Sequence, residues 1–450
     1  NNLKVFTDSA KDIHEIGDVE SSVAANIEGN VTDTFEYKIN NLKAFSDNAK
    51  DLDSIGNVDS KVVAEIDGNV IDTPELKINN LKTFSDSSKG LKDIGSFKSE
   101  VTAEIKGNVT DEFEYKINNL KVFSDSAKDL KDVGNIKSEV TANVGGNVID
   151  EFEYKINNLK VFSDSVKDLK DVGNVSNNIT ANVDGNVMET AEFKLNNLKT
   201  FSDAARDLKA IGSSTSNITA NVNGNVIDTN EFKLNNIEVF ADGANKLKGV
   251  GSFESNVVAN VSGNIIDEFE YKINNLGVFA DGAKNLKEVG DVSSNVTASV
   301  DGNIIDTFEY KINNLKTFSD SAKDLKSVGN VSSKVTADVA GNVINTFEEN
   351  IDNLKVFYDS AKDIGKIGTV KSNVTAEVGG NVIGTSEYKI NNLKVFSDAA
   401  KELKNVGSPT SNITANVSGN VINTLEEKLD NLEVFAAGAN KLKNTGNFTS

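Results

Sequence analysis

Asn-Asn-Leu, or a close variant of it, opens the chain and returns every 39 residues, at Asn1, Asn40, Asn79, Asn118, Asn157 and Asn196 and then at Asn235, Asn274, Asn313, Asp352, Asn391 and Asp430. Eleven full units therefore occupy residues 1–429, with starts at 1, 40, 79, 118, 157, 196, 235, 274, 313, 352 and 391, and residues 430–450 form part of a twelfth. No insertion, deletion or linker interrupts the period; Ile39 of one unit runs straight into Asn40 of the next. A unit this short lies below the roughly 40 residues that fold alone without a disulfide or a metal, and the chain has no cysteine. Each unit must bury its apolar face on its neighbours, which is the logic of a solenoid.

The unit Asn118 to Ile156 shows what each part of the repeat prefers. Leu120 and Val122 alternate with Lys121, as in a half-buried strand. Phe123, Ala127, Leu130 and Val133 then follow at spacings of four, three and three, which predicts a helix of two to three turns. Ser124 would cap it, Asp125 would sit in its first turn, and Gly134 would occupy a left-handed C′ position. Beyond it Val140, Ala142 and Val144, then Phe152, Tyr154 and Ile156, have the period of strands. Gly146-Asn147 between them reads as a turn. These runs fit either a hairpin, with Val144 facing Val148, Val140 facing Phe152 and Ile136 facing Ile156, or successive strands of a solenoid coil. The expected fold is mixed α/β and β-rich: strand-helix-strand-strand units stacked into an elongated rod. Stacked strands lie about 4.8 Å apart but packed helices about 8–10 Å, so two strand layers per unit would reconcile the two spacings.

Several columns are invariant within the chain. Glycine recurs from Gly17 and Gly56 to Gly446, Gly-Asn from Gly29-Asn30 to Gly419-Asn420, and Phe from Phe6 and Phe45 to Phe435. The glycines are expected to satisfy positive φ, and the Phe to anchor one unit on the next. Asn2, Asn41, Asn80 and their equivalents to Asn431 also never change. Stacked, they can form an amide ladder; as turn residues they would bond their own backbone.

Chemistry-bearing residues are sparse. The single histidine, His14, falls on the expected helix where most units have Lys or Asp, and Met188 replaces an apolar residue of other units. No nucleophile elbow, zinc-binding helix, Walker loop or EF-hand occurs, so no enzyme, cofactor or catalytic residue is expected. Carboxylates are abundant, among them Asp125, Asp129, Asp132, Asp150, Glu151 and Glu153. Asp129 and Asp132, three apart on a helix, can share a cation, so calcium is the one ligand ion considered. Lys128 and Lys131 between them favour an ordinary solvated face. Thr102, Thr141, Thr180, Thr219, Thr297, Thr336, Thr375 and Thr414 form an outward column broken by Ala24, Val63 and Val258. An exposed strand explains it better than an ice-binding array does.

A formal charge of −21 disfavours nucleic acid and anionic membranes as partners, and no apolar run is long enough to span a bilayer. Residues 118–135 and 157–174 differ only at Ala127 and Val166, the mark of duplication that adjusts length. The expectation is a structural protein: an acidic rod, fibre or filament at a cell surface or outside the cell, partnered by further repeats or copies of itself. The alternative is an adhesin stalk or multivalent scaffold that engages a surface ligand through its repeated face.

Overall fold

The computed structural model describes residues 3–8, 12–32, 36–47, 51–71, 75–86, 90–125, 129–159, 161–164, 168–203, 207–242, 246–281, 285–315, 317–320, 324–354, 356–359, 363–393, 395–398, 402–431, 434–437, 441–443 and 449. Across them the chain is a parallel β-solenoid, with 75% strand and no helix. Each 39-residue unit makes one coil with three sides. Sheet A holds strands such as Phe113–Asp125, sheet B Asp129–Val133 and sheet C Ile136–Val144. The described strands of the three sheets number 22, 12 and 11.

All pairing is parallel and in register between equivalent residues. Val140 pairs with Val101 below and Ile179 above, Leu130 with Leu91 and Leu169, and Ile117 with Ile78 and Ile156. The hairpin register is thereby excluded: Val144 pairs with Ile105 and Val183, and Val148 with Val109 and Val187. One strand layer per unit also replaces the two-layer arrangement. With one coil per 39 residues, the axis advances one strand spacing, about 4.8 Å, per unit.

The expected helix, and with it the mixed α/β class, is the main correction. Ser124 and Asp125 end a sheet A strand, and Asp129–Val133 is a sheet B strand; 126–128 lie outside the described residues. A left-handed residue imitates helical spacing here. Asp132 has φ of 49°, which disturbs the strand alternation so that Lys131 is half-buried, Asp132 exposed and Val133 buried. Glu15, Ser54, Asp93 and Asp171 repeat that conformation one coil at a time. The three-residue step from Leu130 to Val133 is a bend in a strand, which a helical period matches by coincidence.

Burial follows strand alternation on sheets A and C. Val140, Ala142 and Val144 face Tyr154 and Ile156 inside one continuous apolar core. The aromatic rings stack coil on coil: Phe113 on Phe152 at 5.7 Å and Tyr115 on Tyr154 at 5.0 Å. Of the invariant Phe column, Phe279 and Phe318 are buried and stack at 5.0 Å, as an anchor between units would.

Of the two explanations for the invariant Asn, the ladder is the one present. Asn236 Nδ2 donates to Asn275 Oδ1 at 3.0 Å, and Asn236 Oδ1 accepts from Asn197 Nδ2 at 3.0 Å. Ser216 completes the site: its Oγ donates to Asn236 Oδ1 at 2.6 Å, and its carbonyl accepts from Asn236 Nδ2 at 2.8 Å. Both amide protons and both lone pairs are used, so a fully buried amide incurs little net cost. The serine column was not singled out in the sequence, although its signal is there. Ser138 has the inward parity of Ile136 and Val140.

Gly29 has a left-handed φ of 100° and no neighbour where a Cβ would stand, but from Gly107 to Gly419 the glycine of the Gly-Asn pair is required by stacking, not by a left-handed backbone. A Cβ on Gly224 would sit 2.3 Å from the Gly185 carbonyl oxygen of the coil below. A Cβ on Gly145, one position earlier in its own turn, would stand 3.5 Å from Ile105 O, an ordinary contact. Gly224→Ala should therefore lower the midpoint of thermal unfolding by many degrees, whereas Gly145→Ala should leave it nearly unchanged. Equal effects in a circular dichroism melt would contradict the stacking explanation.

Candidate functional site

With the interior given to packing, chemistry is confined to the outward columns and to the few places where an inward column breaks. Among the described residues no three metal-ligating side chains are grouped to hold an ion. His14 lies on a sheet B strand, exposed, with Nδ1 3.5 Å from Asp53 Oδ2. Asp129 and Asp132 sit on a strand and not on one helical face, so the spacing that suggested a shared cation no longer applies. Met188 is half-buried in an outward column that is mostly Ile.

The outward face of sheet A carries an ion-pair zigzag that is interrupted at Asn350. Lys194 binds Glu192 of its own strand at 2.5 Å and Glu153 of the coil below at 2.9 Å. Lys155 joins Glu153 to Glu114 and Lys116 joins Glu114 to Glu75 in the same way. Burial acts to raise the Glu153 carboxyl, but hydrogen bonds from Lys155 and Lys194 prevail and hold it below the usual carboxylate range. A lysine placed between two carboxylates removes the repulsion that a column of identical charges would otherwise suffer. Beside this zigzag a shallow depression of about 330 Å³ is lined by Glu112, Glu114, Glu151 and Glu153, with Phe113 and Phe152 beneath.

Sheet C presents different chemistry along its length. In residues 98–143 its outward positions include Lys98, Glu100, Glu104, Lys137 and Glu139, with Lys98 paired to Glu100 at 2.7 Å. From 176 to 299 they become Ser, Thr and Asn, with Glu254 and Val258 as exceptions. The amides form outer ladders here, Asn217 to Asn178 and Asn256 to Asn217 at 2.9 Å each. The threonine column read from the sequence runs beside them.

Inward columns are broken without compensation at several places: the hydroxyls of Ser214 and Ser386 are buried without a partner, and two breaks are more severe. Asn177 stands where most coils have Ser, and neither its Nδ2 nor its Oδ1 finds a partner although the residue is fully buried. Glu349 stands in the Tyr and Phe column, between Tyr310 below and Tyr388 above. It is fully buried, and both carboxylate oxygens lack hydrogen-bond partners. Burial first, and the charge of Asp338 second, push its carboxyl well above the ordinary range. Its neighbour Asn350 also departs from the pattern, replacing a zigzag lysine, but donates to Glu309 at 3.0 Å and Glu348 at 2.9 Å.

Asn177→Ser should restore the seam and stabilise the chain by on the order of 1–3 kcal/mol, the cost of leaving a buried amide unsatisfied. An unchanged denaturation midpoint would refute that account. For Glu349 the folded value lies above the unfolded one, whose reference is 4.5. The protonated form's contribution is thus full below the unfolded value and is lost as pH rises through the folded one. Glu349→Gln should raise the melting temperature by an amount that grows with pH above about 5. A gain independent of pH would show that ionisation is irrelevant.

Comparison of the chain with protein-family models, curated proteins and solved structures returns no match, so function is read from these surfaces alone.

Proposed function

We propose that this chain is a structural repeat protein, a rigid acidic β-solenoid rod that bears load at a cell surface or outside the cell. The observation that carries this reading is the unbroken in-register ladder. Backbone pairing runs from coil to coil through the described residues, and beside it run the buried Asn–Ser seam, interrupted at Asn177, and the Glu–Lys zigzag, interrupted at Asn350. Stability of this kind accumulates with coil number, and added units extend the same rod. Further copies or further repeats of the same unit are its natural partners.

A second reading, a multivalent scaffold or adhesin, is favoured by the neutral stretch of sheet C. Uncharged hydroxyl and amide side chains repeated at the strand spacing, in a chain of net charge −21, form a surface on which one weak contact can be repeated many times. The variable column of Lys61, Asn217 and Lys334 would then set specificity.

One set of measurements separates the two. Electron microscopy of the natural protein should show uniform rods, insertion of one unit should lengthen them by about 4.8 Å, and antibodies to the coil should label intact source cells. Globular particles, or labelling confined to the cell interior, would sink the structural reading. Specific capture on a glycan or cell array that is lost on replacing Asn217 and Thr219 with Glu would favour the scaffold.

A further inference from the structure

One corner of the rod combines two outward columns, one apolar and one acidic; in the acidic one Asp150 and Asp228 accept the backbone N–H of the next residue. The first is apolar: Ile71, Ile149, Ile305 and Ile383 are 37–42% exposed, at multiples of 39 residues. Ile227, Ile266 and Ile344 continue it half-buried. The other large apolar side chains exposed among the described residues, Val421, Ile422, Leu425 and Leu429, belong to the last described strand of sheet A on that side, over which no other described strand stacks. Among the described residues, the exposed large apolar side chains are otherwise gathered into this single line.

The next residue along the chain forms the second column: Asp150, Glu189, Asp228, Asp267 and Asp306, each with a left-handed backbone. Unlike the sheet A glutamates, these carboxylates make no ion pair with lysine among the described residues. Their mutual charge is felt: Asp150, then burial, raises the Glu189 carboxyl above its ordinary range. A line of isoleucines beside a line of uncompensated carboxylates defines its complement. Apolar side chains alone would be served equally by a second copy of this rod. Two such corners brought together would oppose two carboxylate columns, which are mutually repulsive, in chains that already carry −21 each. A partner with apolar side chains on one stripe and Lys or Arg on the adjoining stripe meets both columns favourably.

We propose that this corner is a docking ridge for a basic amphipathic segment of another protein, lying along the rod axis. The isoleucine column takes its apolar stripe and the Asp150–Asp306 column its cations. The ridge extends across successive coils, so contacts repeat along the axis and add by avidity.

Binding is tested on the full chain with a synthetic Leu/Lys amphipathic peptide and a Ser/Lys peptide of the same length and charge. The Leu/Lys peptide is expected to bind at physiological salt at least ten times more tightly than the Ser/Lys peptide. Ile149→Thr, Ile305→Thr and Ile383→Thr combined should weaken it at least tenfold without changing the thermal melt, since Thr110 already occupies this column in another coil. Asp228→Asn, Asp267→Asn and Asp306→Asn combined should weaken it and flatten its salt dependence; Asn423 shows that Asn accepts the same left-handed backbone. Equal binding of the two peptides, or undiminished binding to the Ile→Thr variant, would overturn the proposal by reducing it to charge alone. Dimers of the unmodified chain that the Ile→Thr changes abolish would overturn it in favour of a second copy.

Discussion

In-register stacking places every side chain directly on its own equivalent, about 4.8 Å away, and most of this structure follows from that one spacing. Like sits on like, so a residue type is tolerated only if it attracts itself or can be reconciled with itself. Amides and aromatic rings attract: Asn236 donates up and accepts from below, and Tyr115 stacks on Tyr154 with planes 11° apart. Carboxylates repel, and sheet A reconciles them by leaning each lysine between two glutamates. A side chain of any size fails where the coils approach closest, which is why Gly224 has only hydrogen on its Cα.

The same constraint explains what the sequence disclosed and what it concealed. An exact period disclosed the solenoid, the absence of free-standing units and the invariant columns. The Asn-Asn-Leu asparagines were legible as ladder candidates because identical residues at a fixed interval must meet if coils stack. The sheet B strand was concealed. Asp132 with its left-handed φ moves Val133 out of strict alternation, and the resulting spacing from Phe123 to Val133 coincides with a helical face. Gly134 strengthened the error, because a glycine after an amphipathic run is what a helix end needs. Its Cβ would instead meet Ser96 N at 2.7 Å, a contact between coils that no local pattern can reveal. The surface chemistry was half legible: the Thr column was visible, whereas the corner formed by Ile and Asp lay between the Gly146-Asn147 turn and the Phe152 run, where no pattern was read.

Broken columns show how strongly position governs cost. Glu349 and Asn350 are adjacent in one coil, and both depart from the Tyr-Lys pair of most units. Asn350 points outward, where Glu309 and Glu348 accept hydrogen bonds from its Nδ2. Glu349 points inward, where a ring position supplies no donor and burial removes the water. One substitution is absorbed and the other leaves an orphaned acid in the core, because only the outward position offers partners. Duplicated units thus diverge freely on their outward parity and are restrained on their inward parity, as the change of sheet C from charged to neutral between residues 98 and 299 illustrates.

Economy of length bears on what such a molecule is for. At one strand spacing per 39 residues, 450 residues extend about 55 Å, whereas a single α-helix of equal length would reach more than ten times as far at about 1.5 Å per residue. Reach alone is therefore poorly served by this fold. What the residues build instead is breadth and rigidity: three faces and their corners, each a column of positions held at a fixed axial interval by backbone pairing. A load-bearing rod uses the rigidity, and a partner that touches successive coils uses the interval. The Ile and Asp corner uses both, because a flexible ridge would lose to disorder much of what repeated weak contacts contribute.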